Sequence, residues 1–284
     1  MKALSAGKYG LLAIVALLAA GCSMRRFALE NYGWFSTRLA VSYLDLDASQ
    51  KETFKASLSK LSDKIRDRHL PDTIAVVQSM ADATDPVPVL ERLEARFRLV
   101  VADACDEFAP LVASLSPAQL EHLKGKLAER DEKYDSTAAG GVVALRKRQS
   151  DESREMATRW LGTLTSRQEE LLDGASLERD DEGHWERDYL AYRADAQGAF
   201  LRLIIAGRGN PSLFGHQCRR FGENQDPFLT DAGRQMRVRM RDRRNTLTSA
   251  LFASIQPDQR SHFRLQIKGL VNDLSFWSEQ IANQ

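Results

Sequence analysis

The side chains best suited to chemistry are three cysteines and five histidines. His69, His122, His184, His216 and His262 are scattered, and none forms a His-x-x-x-His or His-Glu pair on one helical face. His216-Gln217-Cys218 offers two ligands, whereas a zinc site takes three or four. The chain has no Gly-x-Ser-x-Gly elbow, phosphate-binding loop or dinucleotide fingerprint. Carboxylates are abundant, but no pair stands apart from the charged helices that carry them. These observations predict no metal, no cofactor and no catalysis. The alternative is an envelope enzyme with its site near the 207–229 loop around His216. That stretch holds four Gly and two Pro and closes on Asp226-Pro227, and irregular stretches of such length are often functional. A lone loop histidine such as His216 is mostly just solvated.

Cys22 has the most specific setting. Lys2 and Lys8 form a positive start, and the apolar run Leu11 to Ala20 is too short to span a bilayer as a helix. Leu18-Ala19-Ala20-Gly21-Cys22 resembles the lipobox of bacterial lipoproteins, with Ala19 where that family more often has Leu. The resemblance implies cleavage after Gly21, a diacylglycerol on the Cys22 thiol and an acylated new amino group. Several acyl chains on one residue make a stable anchor. Ser23, a non-Asp residue at the next position, implies sorting to the outer membrane of a Gram-negative bacterium. Residues 1–21 thus read as a signal peptide, and the mature chain as tethered at the periplasmic face.

In that oxidising compartment the other two cysteines, Cys105 and Cys218, suit a disulfide. Cys105 also lies on the apolar face of its helix and fits equally as a small buried hydrophobe. The 40 Lys and Arg and 39 Asp and Glu leave a net charge of +1, and losing Lys2 and Lys8 with the leader makes it −1. Such a balance argues against nucleic acid as a partner. The expected partners are the membrane, through the N-terminal lipid, and envelope proteins or anionic lipid such as lipopolysaccharide.

The elements that position these groups hang on four recurring joints: Leu46 to Gln50, Leu115 to Gln119, Leu164 to Gln168 and Ile255 to Gln259. Each is an apolar residue, a polar residue, two variable positions and glutamine. An N-cap side chain accepts from the N3 backbone N–H, and Gln at N3 reaches back to the cap N–H. Asp47/Gln50, Ser116/Gln119 and Thr165/Gln168 have that spacing. At the fourth joint Gln256 is a poor cap before Gln259. Pro117 and Pro257 fall at N1, where the missing N–H costs nothing.

Between joints, apolar residues recur at three and four. Phe54, Leu58, Leu61 and Ile65 mark a helix that Leu70-Pro71 should end. Leu90, Leu93, Phe97, Val101, Cys105 and Phe108 mark the clearest helix. Trp185, Tyr189 and Phe200, then Met236 and Met240, then Phe263, Ile267 and Leu270 mark three more. No period-two run appears. The predicted fold is all-α: an elongated antiparallel helical bundle, with a duplicated helical hairpin suggested by the joint pairs 46 with 115 and 164 with 255. Segments divide as 22–43, a lipidated N-terminus and aromatic linker; 44–178, a first helical half; and 179–284, a second half, the two halves forming one domain or two.

Two surfaces invite a binding role. Arg234, Arg237, Arg241 and Arg244 fall on one helical stripe, flanked by Arg239 and Arg243, suited to lipid phosphates or acidic sugars. The plainer reading is a solvated face whose arginines pair with acids of neighbouring helices. Phe27, Tyr32, Trp34, Phe35 and Tyr43 crowd the segment after the anchor, where rings either meet the membrane interface or pack back on the domain.

The joints resemble the Leu-Thr-x-x-Gln motif of Spy-type periplasmic chaperones. Residues 22–175 more broadly resemble a family of uncharacterised Gram-negative helical lipoproteins. Its elements correspond here to Leu46–Gln50, a loose Arg-His-x-Leu-Pro element at Arg66–Pro71, Leu115–Gln119, and the Trp160–Gln168 stretch with Gly162 between Trp and the joint. The resemblance implies an envelope lipoprotein with no known catalysis.

Overall fold

The computed structural model describes residues 22–137, 141–177 and 184–282, which are helical throughout apart from short connections, with no strand among them. The helices are α1 (Cys22–Glu30), α2 (Tyr32–Leu44), α3 (Ala48–Lys64), α4 (Leu70–Met80), α5 (Val87–Ala113), α6 (Pro117–Thr137), α7 (Gly141–Leu161), α8 (Ser166–Leu177), α9 (His184–Gly207), α10 (Pro211–Glu223), α11 (Asp231–Ala253) and α12 (Pro257–Ala282). They form an all-α helical bundle. Residues 1–21, which the sequence reads as a signal peptide, lie outside the described residues.

All four joints start a helix: α3, α6, α8 and α12. Asp47 accepts from Gln50 N (2.8 Å) and Gln50 Oε1 from Asp47 N (3.2 Å), a complete capping box. Ser116/Gln119 and Thr165/Gln168 repeat it. At the fourth joint only the Gln259 half survives, with Gln256 N donating to Gln259 Oε1 at 3.0 Å. The helices before two joints close on a left-handed residue, Asp45 (φ 48°) and Gly162 (φ 80°), the conformation that stops a helix and turns the chain.

Two large apolar clusters, beside a small third one of Ala199, Leu203 and Phe221, fill the bundle. One holds Leu46, Phe54, Leu111, Leu115, Leu120 and Leu123 with Ile204 and Phe214. The other holds Leu70, Val77, Val89 and Leu161 with Phe263, Ile267 and Leu270, and Leu164 and Ile255 pack on it. Each joint's leading apolar residue therefore serves the core in which its joint sits. Both clusters take residues from either side of position 178, so the two sequence halves share their cores.

Two expectations are corrected. Leu70-Pro71 does not end the helix begun at Ala48. A single π turn, Ile65–His69, carries the chain into α4, with Leu70 N donating to Ile65 O. Proline removes an i→i−4 bond and crowds the preceding turn, and a widened turn relieves that without a break. The segment 22–43 is not a linker but α1 and α2. Leu29 is buried, Arg26 Nε donates to Asp273 Oδ1 of α12 (3.1 Å), and Tyr32 OH donates to Ser62 Oγ of α3 (2.8 Å).

Candidate functional site

The joints meet in pairs, 46 with 115 and 164 with 255. Gln50 Nε2 donates to Ser114 O and Gln119 Oε1, both at 3.1 Å. Gln119 Nε2 donates to Asp45 O (2.9 Å) and Gln50 Oε1 (2.6 Å). The second pair repeats this: Gln168 Nε2 donates to Ser254 O and Gln259 Oε1, and Gln259 Nε2 to Thr163 O and Gln168 Oε1. Each glutamine thus reaches the carbonyl two residues before the partner's cap position. Each carboxamide oxygen takes its own cap N–H and the partner's amide, and each nitrogen spends both hydrogens. Nothing is left over, which is what a buried amide needs: the four glutamines are at most 8 % exposed. The recurring motif is a two-fold fastener between helix starts. It makes architecture and leaves no group free for chemistry.

The sequence reading missed a cluster at the π turn. His69 is buried, and its Nε2 lies 2.7 Å from Asp103 Oδ2 on α5. An ionised carboxylate only accepts, so this nitrogen carries the proton. Lys64 Nζ meets Glu107 Oε1 at 2.7 Å and Asp103 Oδ1 at 3.3 Å. Burial pushes the Asp103 carboxyl up, but hydrogen bonds from His69 and Lys64, with the Lys64 charge, together hold it below its ordinary 3.8. Hydrogen bonding to Glu107 raises Lys64 above 10.5 against the opposing effect of burial, helped by Asp103. The Ser57 hydroxyl donates to Glu107 O (2.6 Å), so this hydroxyl is not aligned on the imidazole. The cluster braces α3 and the π turn against α5. His69 stands in the Arg-His-Leu-Pro element, the one signal that marked it.

Cys105 of α5 and Cys218 of α10 are joined as a disulfide, with Cα atoms 5.6 Å apart. The 207–229 stretch around it is a third correction: it is not a loop but α10, followed by a short 3₁₀ turn, Asp226–Phe228. Asn210 caps α10 by accepting from Leu213 N, and Pro211 takes the first turn. Three of the stretch's four glycines lie against a neighbouring element, whereas Gly209 (φ 75°) is open and sits in the turn between α9 and α10. A Cβ on Gly222 would stand 2.7 Å from Val101 Cγ1, and one on Gly207 would meet the Phe214 ring. His216 is exposed on α10. The cleft beside it, about 340 Å³, is lined by Asp106, Pro110, Ser212 and Arg219 among others, without His216. Its two charged residues, Asp106 and Arg219, pair with each other. Among the described residues, no three His, Cys, Asp or Glu side chains gather as a metal would require.

The arginine stripe lies on α11, and each member is engaged within the fold. Arg234 pairs with Asp231 and donates to Leu229 O (2.7 Å), and Arg237 meets Asp226 (2.8 Å). Arg239 meets Asp188 (2.6 Å), Arg241 meets Asp242 (3.2 Å) and Arg244 pairs with Glu94. Arg243 lies over the Trp185 ring. These contacts account for the stripe without an outside anion.

At the chain start, Cys22 is the first residue of α1, while Gly21 lies outside the described residues. The aromatic residues that follow divide. Tyr32 packs edge-on to Trp277 and Tyr43 lies against the first core, whereas Phe27, Trp34 and Phe35 are exposed.

Residues 42–231 match a family of unknown function, DUF6279. The chain belongs to this family. The DUF6279 match takes in the first joint pair, the His69 cluster, both disulfide cysteines and the Thr165 joint, and stops short of Gln259. No curated protein and no solved structure matches the chain.

Proposed function

We propose that this protein is an exported lipoprotein, cleaved after Gly21, acylated at Cys22 and held at the periplasmic face of the outer membrane, where it acts by binding or as a scaffold rather than by catalysis. The observation that carries this reading is how the three cysteines are used. Cys105 and Cys218 are bonded to each other inside the fold, an arrangement that suits an oxidising compartment. Cys22 stands behind a short apolar leader and two small residues, the setting of a lipobox. No helix among the described residues is long and apolar enough to cross a membrane, so attachment falls to the lipid. A binding role fits a surface on which the conspicuous charges are matched internally and the chemistry-bearing side chains are structural.

Intact mass of the protein purified from membranes tests the anchor. The expected mass is that of residues 22–284 plus a diacylglycerol and an N-acyl chain, and Cys22→Ser should leave the protein unacylated. A mature chain bare at Cys22 overturns the reading. Crosslinking in intact cells tests the mode of action: specific envelope partners lost on detachment support a scaffold.

A further inference from the structure

Trp34 is 57 % exposed, and none of the other three tryptophans is an exposed residue. It stands 4.9 Å from the Phe35 ring, which in turn lies 6.0 Å from Phe27. Arg38 covers the Trp34 ring at 5.3 Å, and Leu39, 44 % exposed, follows Phe35 by one helical turn. The rings form one continuous outward patch. They stay outward because α1 and α2 are already pinned on their other sides, by Leu29, by Arg26 to Asp273 and by Tyr32 to Ser62.

We infer that this patch of Phe27, Trp34, Phe35, Arg38 and Leu39 lies against the headgroup region of the bilayer, making the lipid surface itself the protein's docking partner. The inference rests on acylation of Cys22. With acyl chains on the first residue of α1, Phe27 follows five residues along the same helix, a rise of about 7.5 Å. The polar zone of one leaflet is about 5–8 Å deep. No linker intervenes, so no folded partner fits between patch and membrane. The chemistry agrees: Trp favours the interface, and Trp, Phe and Leu make the apolar face of helices that lie in it. With Arg26 matched by Asp273, residues 22–44 still carry Arg25 and Arg38 against the single acid Glu30, a balance suited to anionic lipid. The consequence is orientation: the lipid fixes position, and the patch fixes which face of the bundle looks into the periplasm.

The test uses the full mature protein in vesicles of phosphatidylethanolamine with a minority of phosphatidylglycerol, with acyl chains brominated or plain. Brominated lipid should quench the tryptophan fluorescence of the wild type, and Trp34→Phe should abolish most of that quench. Phe27→Ser with Phe35→Ser should reduce the quench of Trp34 while leaving the circular dichroism unchanged. Equal quench in wild type and Trp34→Phe, or none in either, overturns the inference. So does a patch that instead joins two copies, seen as vesicle-independent dimers lost in the Ser variant with Trp34 unquenched. Intact mass on the same sample reads acylation separately. If Cys22 is bare, the lipoprotein reading fails, and quenching of the bare protein by added vesicles still decides the patch.

Discussion

The carboxamides of Gln50 and Gln119 are bonded head to tail, nitrogen to oxygen in both directions, across 69 residues of sequence. Gln168 and Gln259 make the same cycle across 91 residues. Only a side chain with two donors and an acceptor of two bonds can fill these places. Gln50→Glu keeps the shape but cannot donate to Ser114 O or Gln119 Oε1, and it buries a charge. It should cost about 2–4 kcal/mol, read as a lower urea midpoint. Gln50→Ala and Gln119→Ala should be non-additive by about 1 kcal/mol or more, since either alone breaks the shared cycle. Gln50→Ala and Gln168→Ala, in separate cores, should add to within about 0.5 kcal/mol. Equal coupling in both combinations would refute the fastener.

The disulfide ties α5 to α10 across a separation of 113 residues. Closing so long a loop restricts the unfolded chain strongly. Replacing Cys105 and Cys218 by Ala should lower unfolding free energy by about 2–5 kcal/mol. The wild type unfolded in reductant should match the double variant, and reductant should not shift the variant. Denaturant curves in the four combinations check this.

What was legible in the chain was what is local. A capping box is written within four residues, so the starts of α3, α6 and α8 could be read directly. The degenerate fourth joint was legible too, because Gln259 does the same work without its reciprocal cap. That the glutamines touch each other was not legible, because only the fold decides what lies across from Gln50. The His69 cluster was hidden for a geometric reason. Lys64 and His69, five apart, point to different sides of an α-helix, and the wider π turn swings them toward the same acid. At 207–229 the composition misled: glycine serves a loop and a tight helix contact equally well, and Gly222 and Gly207 serve the contact.

That distinction predicts opposite outcomes for one substitution. Gly222→Ala would drive a methyl into Val101 Cγ1, 2.7 Å from the built position, and should destabilise by about 1–3 kcal/mol. Gly125→Ala, at an exposed position inside α6 with nothing within 4 Å, should stabilise by about 0.5–1 kcal/mol. Thermal melts of the two variants, moving in opposite directions from the wild type, are the check; a loop at 207–229 would tolerate both.

The brace at the π turn should leave its mark on pH dependence at both extremes. The carboxyl of Asp103 is held below 3.8 in the folded protein, so folding favours its charged form. That contribution is whole above the unfolded value and is lost as pH falls through 3.8 toward the folded value. Lys64 is raised above 10.5, so its contribution is whole below 10.5 and disappears as pH climbs through the folded value. Asp103→Asn removes the acid from both balances. It should lower the urea midpoint at neutral pH, flatten the acid limb of stability below about pH 4 and weaken the alkaline limb set by Lys64. His69→Gln keeps a donor toward Asp103 and should preserve more of the neutral midpoint than His69→Ala, which leaves a partly buried carboxylate oxygen without its bond. Urea midpoints across pH for the four proteins decide it: if Asp103→Asn follows the wild type down the acid limb, another carboxylate sets that limb and the brace is not the cause.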